Sequence, residues 1–116
     1  MKTYINQEIN YDVSGVEATF DSIVCSANEG DISIQFYHSD LNKADHKLVL
    51  QESSDNVNFV DSKDQSGSTV EIVIDNTLSN DILRVAKSFN VPYARLKFVE
   101  GTTGTGKINN FKIMME

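Results

Sequence analysis

Apolar residues in this chain recur at every second position. From Asp31 to Tyr37, Ile32, Ile34 and Phe36 fall on one side, and Ser33, Gln35 and Tyr37 on the other. Val70, Ile72 and Ile74 stand opposite Glu71 and Asp75; Ala94, Leu96 and Phe98 alternate with Tyr93, Arg95 and Lys97. Phe111, Ile113 and Met115 alternate with Asn110, Lys112 and Met114, and Leu48 and Leu50 repeat the pattern briefly. A period of two predicts strands with one face buried and the other wet or turned to a partner. Residues 81–88 (DILRVAKS) fit two readings: a helix capped by Asp81 and stopped by Pro92, or a strand or single turn.

Between these runs stand clusters of Gly, Asn, Asp and Ser: Asn28 to Gly30, Ser39 to Asp45, Ser53 to Asn58, Asp61 to Ser68, Asn76 to Asp81 and Gly101 to Gly106. Such residues supply turn conformations and local side-chain-to-backbone bonds. Short strands separated by turns predict an all-β antiparallel sandwich or barrel. With 116 residues and no linker or repeat, the chain reads as one domain, 1–116.

Charge narrows the partners. Seventeen acidic against ten basic residues give a net charge of −7. That surface repels phosphate backbones and anionic lipid, so neither nucleic acid nor membrane is expected as a direct partner. Cys25 is the one cysteine, so no intrachain disulfide forms; beside Ile23 and Val24 it reads as a small core residue. No run approaches the ~20 apolar residues of a membrane-spanning helix. Met1 to Asn10 has no apolar stretch of the secretory kind, so the chain is expected to stay in the cytoplasm unless an assembled particle carries it out.

Three features invite chemistry. Gly101 to Ile108 (GTTGTGKI) follows a strand and matches the Gly-x-x-x-x-Gly-Lys part of a phosphate-binding loop. Ile108 stands where a magnesium-binding hydroxyl belongs, and INNFKIMME continues as a strand rather than a helix, so a hairpin loop is expected. His38 and His46 flank the loop Ser39 to Asp45; without cysteine or further histidine they read as solvent-facing. Glu52, Asp55, Asp61 and Asp64 offer oxygen ligands outside the spacing of an EF-hand, so no cofactor is assigned and a structural calcium is the one exception these acids allow. Neither histidine sits beside a recognisable nucleophile, and the reading is of a protein that is not an enzyme. Tyr4, Tyr11, Tyr37, Phe59 and Tyr93 form the candidate contact surface, since rings at strand or turn positions suit a sugar or a neighbouring subunit.

The stretch LVLQESSDNVNFVD, Leu48 to Asp61, resembles the strand, Ser-x-Asp-Gly-x-x-Trp turn and strand of discoidin-like sandwiches and of small virion proteins of tailed bacteriophages. It departs from that pattern at Asn56 and Phe59, with Phe59 expected to fold back onto the core. DISIQFYHSDLNKADHKLVLQ upstream and PYARLKFVEGTTGTGKINNFKI downstream are similar to the phage pattern in the same order, so the likeness runs over residues 31 to 113. It implies an antiparallel β-sandwich, jelly-roll or discoidin-like, acting in a virion. The expected role is an auxiliary or decoration protein on a capsid, or a tail-associated subunit. Its partners would be the major capsid or tail protein and other copies of itself, met through strand edges, Met1 to Asn10 and loop aromatics. A carbohydrate-binding, host-recognition module is the alternative, with a glycan as partner.

Overall fold

The computed structural model describes residues 3–13, 17–24, 31–86 and 91–115. Ten β-segments follow one another: β1 (Thr3–Asp12), β2 (Ala18–Thr19), β3 (Ile23–Val24), β4 (Asp31–Ser39), β5 (Lys47–Ser53), β6 (Val60–Asp61), β7 (Glu71–Val73), β8 (Asn80–Ala86), β9 (Tyr93–Val99) and β10 (Lys107–Met115). The first sheet has the order β1-β10-β4-β8. In the second, β9 and β5 lie at the centre; β2 and β3 share the far edge of β9, and β6 and β7 share the far edge of β5. All pairings are antiparallel.

Taking each broken edge as one strand gives eight strands in a nested order. β1 pairs with β10, β2/β3 with β9, β4 with β8, and β5 with β6/β7. A folded ribbon of this kind, divided between two sheets, is the jelly roll. The all-β sandwich expected from the alternation is present, and the jelly-roll form of it is the one adopted.

The core lies where the inner faces meet. Ile34 and Phe36 of β4, Leu48 and Leu50 of β5, Ala94, Leu96 and Phe98 of β9, and Ile108, Phe111 and Ile113 of β10 are all buried. β9 alternates perfectly between half-buried and buried positions. In β5 the alternation fails, because Val49 and Gln51 on its outer face are buried as well. Val49 stands in register between Lys97 and Glu71, while Gln51 is held by Arg95 and Asp61.

One open reading is decided and one expectation changes. Of the two readings of residues 81–88, the strand is the one found: residues 80–86 form β8, because the open side of β4 takes them up over seven register pairs and Asp81 turns inward to His38 instead of capping a helix. Residues 87 and 88 of that segment, the Asn28 to Gly30 turn and Cys25 lie outside the described residues. Phe59 joins no core cluster; it lies half-buried with the Arg95 guanidinium 3.9 Å above its ring, since Arg95 projects from the outer face of β9.

Phe98 is fully buried, with Tyr11 and His46 rings at 5.3 and 5.4 Å. Phe98→Ala is expected to cost about 3–5 kcal/mol, read as a lowered midpoint in urea at unchanged slope.

Candidate functional site

The two motifs that invited separate chemistries are brought together. The chain crosses from β4 to β5 through residues 40–46, and from β9 to β10 through residues 100–106. Because β4 neighbours β10 and β5 neighbours β9, both crossings run at the same end of the sandwich, side by side. Polar backbone there has no ladder partner and needs one.

The crossings supply each other. Thr102 donates its N–H, at 2.7 Å, and its hydroxyl to Asp45 Oδ2. Gly101 N–H donates to His46 Nδ1 at 3.3 Å. Thr105 N–H donates to Asn42 Oδ1 at 2.7 Å, and Asn42 N–H returns a bond to the Thr105 carbonyl at 3.2 Å. Gly104 N–H donates to Glu100 Oε1 at 3.1 Å. The N–H groups of Gly101, Thr102, Gly104 and Thr105, which a phosphate-binding loop would aim at an anion, are thus held by the chain's own carboxylates, amide and imidazole.

Glycine makes the approach this close. A Cβ on Gly106, whose φ is 134°, would lie 2.8 Å from Leu41 Cα. One on Gly104 would lie 2.6 Å from Asn42 Oδ1 and 3.1 Å from His46 Nε2. A side chain at either position would force the crossings apart.

Both histidines, expected in solvent, are buried: His38 is 3% exposed and His46 fully enclosed. His38 closes the last turn of β4 onto β8, with Nε2 2.7 Å from Asp81 Oδ2 and its N–H donating to the Ser79 carbonyl. His46 stands just before β5, at the other end of the crossing. By accepting from Gly101, its Nδ1 keeps the ring proton on Nε2, which has no partner among the described residues. The sequence signal that could have placed them inside is parity: His38 continues the inward series Ile34, Phe36.

The acidic residues hold their own loops. Ser53 Oγ accepts from the Asp55 and Asn56 N–H groups, and Asp55 Oδ1 accepts from Val57 and Asn58. Asn56 has φ 61°, the conformation for which Gly is usual in this turn. These donors push the Asp55 carboxyl far below the usual aspartate range. Asp64 is lowered by Ser66 and Ser68, and Asp75 by Thr77. Asp61 accepts instead from Gln51. Among the described residues, no three His, Cys, Asp or Glu side chains gather as a metal site. A shallow cleft of about 270 Å³ lies beside the Ser53 turn, lined by Glu52, Ser53, Asp55, Asn58, Val60 and Val91 among others.

The candidate aromatics are dispersed. Tyr11 packs edge-on to Phe20 and tilted to Phe98 at the border of the core. Tyr37 sits on the outer face of the first sheet with Lys112 Nζ 5.3 Å from its ring centre. Tyr93 is half-buried in β9, in register with Ser53 and Val24, on the outer face of the second sheet that also carries Arg95 and Phe59. Tyr4 is in β1, opposite Met114, with its side chain outside the description.

Fold and site together define a jelly-roll sandwich whose polar residues are bound into its own loops. No family model matches the chain, and no curated protein matches it. A solved structure from work on Bacillus endospore appendages, described as forming a novel family of disulfide-linked pili, is similar over 99% of this chain and 89% of that one. Identity is 11% and the TM-score 0.49, a likeness too slight to bear on function.

The bonds between the two crossings form a clasp, and Asp45 ties it to pH. Its carboxyl is held below the ordinary aspartate value of 3.8, first by the Thr102 hydroxyl and then by the Thr102 N–H. A lowered folded pKa means the stabilisation is complete above that ordinary value and is lost as pH falls through the folded one. In an NMR titration the Asp45 carboxyl and the Thr102 amide are expected to shift together, with a midpoint below 3.8. A midpoint at or above it would show that the clasp does not rest on the carboxylate.

Proposed function

We propose that this chain is a non-enzymatic structural protein that assembles with other copies or with other structural subunits. The supporting observation is the clasp: its Gly-rich loop, the histidine beside it and the nearby carboxylates, the residue types from which active sites are made, are engaged in joining crossings and shaping turns. The lowered carboxyls point the same way, since a general acid at neutral pH needs a raised value.

The finer reading is a virion component of a tailed bacteriophage: an auxiliary or decoration protein of the capsid, or a tail-associated subunit. It is supported by the Ser53–Asp55 turn, the Tyr93–Leu96 strand and the Gly101–Gly106 loop, which follow one another in the order of the phage pattern, with Ser53 in register against Tyr93. Tyr37 and Tyr93, half-buried on the outer faces of opposite sheets, are the aromatic contacts that such a subunit offers its neighbours.

Quantitative mass spectrometry of particles purified from cells that produce the chain tests this reading. A fixed copy number relative to the main shell or tail subunit is expected. Recovery of the chain only outside the particles would contradict it.

A further inference from the structure

Sheet edges expose unpaired backbone, and folded proteins usually blunt them. Three of the four edges here are blunted. β2 and β3 are two-residue fragments, and β6 and β7 are separated by the turn at Asp64 to Gly67. The register of β1 breaks between Glu8 and Tyr11, where Asn10 has φ 46°, and the exposed Asn6 and Glu8 keep its outer face polar.

β8 is different. Its seven residues pair with β4 without a register shift, and no described strand covers its other side. His38 N–H donates to the Ser79 carbonyl, one pair beyond Tyr37↔Asn80. Successive residues of an antiparallel strand direct their N–H and C=O groups to opposite sides. Ser79, Asp81, Leu83 and Val85 therefore face β4, while Asn80, Ile82, Arg84 and Ala86 turn theirs to the open edge. Ile82, an apolar residue at the middle of that edge, is 41% exposed.

We propose that β8 is the edge through which two copies of this chain join, antiparallel and about a two-fold axis at Ile82. The inference rests on the assembly reading above and names its surface. In this register Ile82 of one copy faces Ile82 of the other, and Asn80 faces Arg84 on both sides. Each of these pairs exchanges two backbone hydrogen bonds, and the exposed isoleucines cover one another. An axis at Arg84 would set two guanidinium groups opposite, and one at Leu83 would set Ile82 against a charge; like-charged pairs destabilise a sheet. The pairing would make one eight-stranded sheet from the two four-stranded ones.

Ile82→Pro tests it cleanly. The amide it removes points to the open edge, so the β4 ladder keeps its bonds, and proline is tolerated on edge strands for that reason. Ile82→Lys places a charge on the axis and is the second variant. By sedimentation over a concentration series, the full wild-type chain is expected to dimerise. Both variants should weaken the dimer by about tenfold or more, equivalent to ~1.4 kcal/mol, with the far-ultraviolet circular dichroism unchanged. A wild-type chain that stays monomeric to the highest concentration would overturn the proposal. So would folded variants that dimerise as the wild type does; copies would then meet elsewhere, and incorporation into particles would still decide the structural role separately.

Discussion

Two strands of polypeptide have to pass between the sheets at one end of this sandwich, and neither has a ladder to satisfy its backbone. The β4–β5 and β9–β10 crossings meet that constraint by bonding to one another through Asp45, His46 and Asn42 on one side and Gly101, Thr102 and Thr105 on the other. Each such bond contributes about 0.5–1.5 kcal/mol net, so several acting together tie the register of the crossings to the whole fold. Leu41 shows the link to the core: it belongs to the first crossing, is buried in the apolar cluster, and lies against Gly106 of the second. The β1–β2 connection joins at the same place, where Val13 N–H donates to the Gly106 carbonyl.

The same economy runs through the other loops. Asp55, Asp64 and Asp75 each gather donors from the two to four residues that follow, which fixes a turn and lowers the carboxyl. His38 joins the end of β4 to Asp81 of β8, so the crossing is held at one end by a β4 histidine bonded to β8 and at the other by His46 against the Gly-rich loop. Gln51 carries a chain of bonds from Arg95 to Asp61 over the outer face of β5. An acidic composition thus serves the fold in particular places, beyond keeping its surface charged.

Much of this could be read from residues near one another in the chain. Alternation in 31–37, 93–99 and 110–115 marks strands because side-chain direction depends on local geometry alone. The Ser53–Asp55–Asn56 turn is equally local. Parity alone could place the histidines inside, but not their partners, since His38 meets Asp81 43 positions away and His46 meets Gly101 at a separation of 55. Nor was the burial of Val49 and Gln51 legible, since Val49 lies between β7 and β9 and Gln51 is bonded by Asp61 of β6 and Arg95 of β9. Of the site, the sequence presented both halves as rival motifs; only the topology shows that they complete each other.

Amide hydrogen exchange at Gly101, Thr102 and Thr105 tests the central role of the clasp most directly. If the crossings depend on one another, these loop amides exchange as slowly as those of Leu50 and Leu96 in the central strands, opening only with the fold. Exchange at the rate of an unstructured peptide, with the strands still protected, would show that the sandwich stands without the clasp.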